Sequence, residues 1–170
     1  MKRIVLIMLL IGGLLTGVSA QTVTKNELPK NLNKVYMNLT MDFSKAMICG
    51  MSEEEFSKYE KDWERDKPTI VRNFKAGANL ILGSTCGIGE YKNASYNMRV
   101  TVNTITEEGY MICDASIADL EGNELFTIEE VTGGKEPSVG IGTKLARMKL
   151  WATLTGKRLG TILKSELTNK

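Results

Sequence analysis

The best candidate for binding an anion is a glycine-rich run that precedes the last predicted helix. Gly140, Gly142, Thr143 and Lys144 fall within five consecutive positions there. Free backbone amides and the helix dipole at a helix start favour negative charge. The run lacks the Gly-Lys-Ser/Thr ending of a P-loop and the third glycine of a dinucleotide fingerprint. Two interpretations stay open: an anion or small-molecule site in the loop 133–142, or glycines that only lead the chain into a helix.

Cysteines and aspartates are the other candidates for chemistry. Export would permit a disulfide between Cys49 and Cys86, but an odd cysteine count leaves the pairing open, and buried free thiols fit equally well. Asp42, Asp114 and Asp119 would have to converge in a cleft to act as acid and base or to hold a cation. The chain has no histidine, which excludes Ser-His-Asp and Cys-His catalysis and histidine metal sites. We therefore predict no catalytic residue, no metal and no cofactor.

The last predicted helix, residues 143–167, has two apolar sides. Its inward stripe consists of Leu145, Met148, Ala152, Gly156, Leu159 and Leu163. The small residues in this stripe would let the helix approach the sheet closely. At about 100° per residue from Leu145, Leu150 and Leu154 fall about 140° and about 180° away, so they lie outside the stripe.

We predict that this outer side binds a protein partner or a second copy of the chain. The predicted interface is an apolar patch rimmed by positive charge: Leu150, Trp151, Leu154, Arg147 and Arg158. Residues 144–170 contain seven Lys and Arg against Glu166 alone, so the partner surface would be acidic. Residues 53–66, with seven acids against three bases, could supply it on a second copy. The alternative is cover from within the chain by Val23, Leu28 and Leu32.

Periodicity predicts the elements in the first half of the domain. Residues 35–43 alternate between apolar and polar, as expected for a strand with one face on a core. Ser52 and Glu55 form a capping box that starts a helix. Asp66 and Pro68 restart the helix after a break, and its apolar face continues to Ala78. The apolar run Leu80–Leu82 predicts a short buried strand, followed by a glycine-rich loop.

Three alternating stretches in the second half, around residues 98–102, 111–117 and 125–131, are separated by turn residues. This spacing favours antiparallel hairpins. The sequence therefore predicts one α/β (α+β) domain with a mixed sheet of about five strands, a three-strand antiparallel meander and helices packed on the sheet.

The amino-terminal segment predicts export. Lys2 and Arg3 precede an apolar stretch too short to span a bilayer comfortably, and Ser19 and Ala20 complete a small-residue cleavage signal. We expect residues 1–20 to be a signal peptide cleaved after Ala20, residues 21–34 to be a polar arm, and residues 35–170 to form the domain. The expected location is the periplasm or the exterior, with no transmembrane segment in the mature chain. Without the leader, 20 basic residues face 20 acidic ones, which disfavours nucleic-acid binding.

The order of these elements resembles a domain of small bacterial envelope proteins, found in curli-secretion channels, penicillin-binding-protein activator lipoproteins and the amino-terminal part of TolB. The likeness is a pattern over roughly 130 residues: a long first strand, a helix leading to the strand at 80–82, a meander, a glycine-rich loop and a closing helix. That helix begins Gly142-Thr143-Lys144-Leu145-Ala146. The resemblance implies a non-catalytic assembly or partner-binding domain of the cell envelope. The chain lacks the lipid-attachment cysteine of the lipoproteins in this group.

Overall fold

A computed structural model describes residues 21–29, 34–133 and 142–168, so the predicted signal peptide lies outside the described residues. The elements are β1 Thr22–Asn26, β2 Val35–Asp42, β3 Met47–Ile48, β4 Met51–Ser52, α1 Glu53–Tyr59, α2 Trp63–Leu82, β5 Cys86–Gly89, β6 Tyr96–Ile105, β7 Met111–Ala118, β8 Glu124–Thr132 and α3 Lys144–Thr168. The strands form one sheet in the order β1-β8-β7-β6-β2-β5, with β3 beside β6 and β4 beside β3. The predicted α/β class is confirmed, and the sheet has eight strands rather than about five.

The meander β6-β7-β8 is antiparallel, whereas β2 pairs parallel with both β5 and β6. Residues of β7 alternate strictly between buried and half-buried, because one face of the sheet lies under α2 and α3. Among the described residues no helix covers the opposite face, which carries polar side chains such as Thr40 and Arg99. None of the described helices combines the length and the apolarity needed to cross a membrane.

The capping box at the start of α1 is confirmed. The Ser52 hydroxyl accepts a hydrogen bond from the Glu55 amide at 3.3 Å, and the Ser52 amide donates to the Glu55 carboxylate at 2.9 Å. Phe56 of α1 then packs edge-on against Trp63, with ring centroids 5.2 Å apart. Both rings are fully buried, so the capped turn anchors the start of α2 in the core.

The prediction of a strand at Leu80–Leu82 was wrong. This apolar run is the last turn of α2, and the helix ends at Gly83, whose φ of +59° is unfavourable for residues with a side chain. The strand follows as β5, inside the predicted glycine-rich loop. Three apolar residues fit either a buried strand or a helix end, so periodicity alone could not separate the two.

The predicted polar arm also contains a strand. β1 pairs antiparallel with β8, with Thr22 opposite Glu129. Leu28 beyond it is 7% exposed and belongs to the core. An edge strand held by backbone hydrogen bonds needs no apolar alternation, and this is why composition did not indicate it.

The two long helices run side by side and contact each other through glycines. A Cβ added at Gly156 would lie 2.0 Å from the Phe74 carbonyl oxygen, and one added at Gly77 would lie 2.2 Å from that of Thr153. The sequence predicted that Gly156 lets α3 approach the sheet. The structure corrects this prediction, since the close approach is to α2.

Candidate functional site

The predicted interface on α3 is split by the structure. Leu150 is 39% exposed, whereas Trp151 is 1% exposed and its ring lies 4.2 Å from that of Tyr110. The placement of Trp151 on the outer surface was wrong, because the β6–β7 turn rises beside α3: a Cβ on Gly109 would lie 2.8 Å from the Arg147 backbone. Trp151 is therefore a core residue of the chain rather than a contact residue on its surface.

The remaining members of that patch have local partners. Leu154 is half-buried, with the backbone at Gly133 close beside it. Arg147 donates to the carbonyls of Gly142 and Glu107, both at 3.1 Å. Arg158 donates to the Gln21 side chain at 2.6 Å. The leading segment also reaches α3 through Asn26, whose side chain donates to the Glu166 carboxylate at 2.6 Å. Of the three apolar residues proposed as cover, Leu28 is buried in the core, Val23 is 36% exposed, and Leu32 lies outside the described residues.

Part of the predicted anion site can be described. Gly140 and residues 134–141 in general lie outside the described residues. The Thr143 hydroxyl accepts from the Ala146 amide at 3.3 Å, which is a helix cap. The Lys144 ammonium lies 3.5 Å from the Glu107 carboxylate and 5.4 Å from the Tyr59 ring centroid. Thr143 therefore caps α3, and Lys144 contacts Glu107 between β6 and β7 and Tyr59 of α1. Anion binding by the loop remains a prediction.

Of the two possibilities that the sequence left open for the cysteines, the structure has free thiols at Cys49, Cys86 and Cys113. Cys86 is level with Val35 at the start of β2, whereas the Cys49 amide donates to the Ile105 carbonyl at the far end of β6. The two cysteines therefore lie at opposite ends of the 10-residue strand β6. At about 3.3 Å per residue they are roughly 30 Å apart, whereas a disulfide allows a Cα–Cα distance of at most roughly 7 Å.

The environment of each thiol disfavours the reactive thiolate. Burial raises the pKa of Cys86 to about 11 and also raises the pKa of Cys49. Burial, with a smaller contribution from Asp114, raises the pKa of Cys113. A thiolate is the nucleophile in cysteine chemistry, so these residues are set up as apolar packing groups.

The three candidate aspartates have separate structural roles. Asp42 pairs with Arg99 at 2.5 Å, and this hydrogen bond holds the pKa of the Asp42 carboxyl far below its usual range. Asp114 accepts from the Asn103 side chain at 2.8 Å and from a backbone amide of β8. Asp119 closes the β7–β8 turn through its own hydrogen bonds. Within the described ranges no three acidic, cysteine or histidine side chains group as a metal site.

A groove at the β5 edge of the sheet was missed by the sequence analysis. This sheet-edge groove has a volume of about 600 Å³ and is lined by Lys34, Val35, Tyr36, Asn79, Gly83, Ser84, Cys86, Gly87 and Tyr91. The Tyr36 and Tyr91 rings are 4.7 Å apart, and a Cβ on Gly87 would lie 2.9 Å from the Tyr91 hydroxyl. The residues of the groove come from separate elements, so the sequence does not show that they meet. The one hint is Gly87 in β5, because a glycine within a strand often marks the close approach of another group.

A separation of charge between the two layers was also missed. Helices α2 and α3 carry ten Lys and Arg against three Asp and Glu, whereas the other described residues carry seven against sixteen. The excess of basic residues at the carboxyl end was visible in the sequence. That α2 adds to the same basic surface depends on how the two helices pack. The near-zero net charge of the whole domain concealed this separation.

No protein-family model matches the chain, and no curated protein is similar to it in sequence. Among solved structures, PelC dodecamers from Paraburkholderia phytofirmans align with 89% of this chain and 100% of theirs, at 10% and 8% identity and a TM-score of 0.41. A Xanthomonas campestris protein of the family DUF330 aligns with 85% of this chain and 93% of its own, at 9% identity and a TM-score of 0.38. Likeness at this level supports no conclusion about family, activity or assembly.

Proposed function

We propose that the chain is exported and acts as a non-enzymatic interaction domain of the cell envelope, using the outer surface of its two long helices. We call this surface the basic helix face and define it by Arg72, Leu80, Leu150, Lys157 and Lys164. Export rests on the leader at residues 1–20, and the envelope role agrees with the resemblance to curli-secretion channel, activator lipoprotein and TolB domains. For export, protein from the native host should begin at Gln21, and a mature species that retains Met1 would contradict it.

The observation that carries the proposal is an exposed leucine among unpaired cations. Leu80 is 68% exposed. Lys157 and Lys164 flank it from α3: a Cβ on Gly77 would lie 3.1 Å from the Lys157 amide nitrogen, and the Lys164 ammonium lies 3.2 Å from the Ile81 carbonyl oxygen. Neither lysine forms a salt bridge within the described residues.

An exposed apolar side chain flanked by charges of one sign is typical of a docking surface with a complementary partner. The leucines supply apolar area that is buried on contact. The unpaired cations would accelerate encounter with an acidic surface, and this acceleration falls as salt screens the charges. The face would therefore bind more weakly at high ionic strength.

The test compares two variants of the mature chain for association, either with itself in sedimentation velocity or with partners retained from solubilised envelopes. Leu80→Glu combined with Lys157→Glu should abolish association without altering the circular dichroism spectrum. Thr40→Glu places a new acid on the uncovered face of the sheet and serves as the matched control. Equal association of both variants would show that the basic helix face is not the interface.

A second candidate function, binding of a small molecule, is favoured by the sheet-edge groove and its tyrosine pair. A thermal-shift screen of glycans, nucleotides and anions tests it. A shift that disappears in Gly87→Val, which fills the groove, supports this site. A shift that disappears in Gly142→Val supports the loop 133–142 instead, and no shift with any compound contradicts both.

A further inference from the structure

The β7–β8 hairpin carries acidic residues without any basic ones. Residues 111–133 contain six Asp and Glu and no Lys or Arg. Its turn presents Leu120, which is 66% exposed, between Asp119 and Glu121. We call Asp119, Leu120, Glu121 and Glu124 the hairpin tip. The hairpin tip is the acidic counterpart of the basic helix face, because each surface has an exposed leucine beside charges of one sign.

Hydrogen bonds hold the hairpin tip in one conformation. The Asp119 carboxylate accepts from the backbone amides of Glu121 and Asn123, both at 2.9 Å, and from the Asn123 side chain at 2.8 Å. The Asp119 amide donates to the Asn123 carbonyl at 3.0 Å. A preformed tip loses little conformational entropy on docking, which favours its use as a contact element.

The Asp119 carboxylate is occupied by the turn. The two glutamates of the tip form no salt bridge among the described residues, whereas several acids near α1 do. Glu53 pairs with Lys67 at 2.5 Å, Glu54 with Lys58 at 2.6 Å and Asp62 with Arg65 at 3.0 Å. In contrast, Glu121 and Glu124 take part in none of the salt bridges of the described residues. The segment 53–66, which the sequence suggested as the acidic surface on a second copy, is therefore the weaker choice.

We propose that the hairpin tip of one copy docks on the basic helix face of a second copy, with Leu120 against Leu80 and the Glu121 and Glu124 carboxylates against Lys157 and Lys164. This inference rests on the proposed function and names the partner of that face. The two surfaces differ, so the contact either closes reciprocally as a dimer or repeats from head to tail into a ring or a filament. Charge complementarity selects a second copy, because the chain itself carries a matching surface of opposite sign.

Charge reversal of each side tests the pairing. The tip variant is Glu121→Lys with Glu124→Lys, and the face variant is Lys157→Glu with Lys164→Glu. Each variant alone should lose self-association, by about tenfold or more per reversed pair, in sedimentation velocity at low salt. A mixture of the two variants should associate again, because every reversed charge meets an opposite one. Glu60→Lys with Glu64→Lys reverses two acids outside the tip and should associate like the wild type.

Several results would overturn the inference. Failure of the mixed variants to associate, or a loss in the control equal to that in the tip variant, would reject the hairpin tip as the occupant. A wild-type chain that stays monomeric yet binds phosphatidylglycerol vesicles through the face, with the tip variant unaffected, would assign the face to anionic lipid. If the face variant loses association or vesicle binding in these cases, the basic helix face is still an interface and the proposed function stands. If the face variant retains all association, both proposals fail.

Discussion

Gly156→Ala is the perturbation that most directly tests the contact between α2 and α3. On helix propensity alone, replacing an interior glycine by alanine should stabilise α3 by about 1 kcal/mol. The structure predicts the opposite sign. The new Cβ would lie 2.0 Å from the Phe74 carbonyl oxygen, and unbonded Cβ atoms stay at least 3.0 Å from their neighbours. The helices would therefore have to move apart by at least 1.0 Å.

The magnitude follows from packing. A gap of about 0.5–1 Å forfeits a quarter to a half of each dispersion contact along the interface, and overpacking a core costs about 1–3 kcal/mol. The obstacle is a backbone carbonyl that cannot rotate away, so we take the upper end of that range. Subtracting the propensity gain leaves a net destabilisation of about 2 kcal/mol, or about 4–8 °C in the melting temperature of a domain of this size.

Urea denaturation followed by circular dichroism measures the effect. Gly160→Ala is the graded comparison, since its Cβ would lie 2.7 Å from the Ala78 oxygen and should cost less. Thr161→Ala, on the exposed side of α3, controls for propensity and should change stability by at most about 0.5 kcal/mol. A Gly156→Ala chain that is as stable as wild type, or more stable, would refute the close approach of the two helices.

Four further outcomes are expected. Ser52→Ala should destabilise the domain by about 1 kcal/mol through loss of the cap, and an unchanged denaturation midpoint would contradict the cap's role. Trp151→Ala should cost about 3–5 kcal/mol and disturb the fold, whereas a silent substitution would place Trp151 on the surface after all. The Asp66 carboxyl has a pKa lowered chiefly by the hydrogen bond from Lys149. It therefore contributes stability that is complete well above its ordinary value of 3.8 and is lost as the pH falls through 3.8 towards the lowered pKa, so Asp66→Asn should show a smaller acid loss in pH-dependent melts than the wild type. The thiols should react slowly with iodoacetamide in the native chain and completely after unfolding, and fewer than three modified thiols in the unfolded, unreduced chain would reveal a disulfide.

Features that depend on neighbours within about four residues were readable from the sequence. The capping box of Ser52 and Glu55 forms within one turn, and the inward and outward alternation of β7 follows from the pleat of a single strand. The start and end of α3 fell within about one residue of the predicted bounds because the polar and apolar pattern persists along the whole helix.

Contacts between distant segments were decided only by the tertiary structure. Thr22 meets Glu129 across an edge strand whose own residues carry no apolar pattern. Trp151 is buried by Tyr110, and Leu80 is flanked by lysines of a different helix. Each of these outcomes depends on which elements become neighbours, and that choice is made by the packing of the whole core. The sequence by itself therefore determined where most elements form and their amphipathic sides, while topology determined which side chains were buried and which charges gathered on one surface.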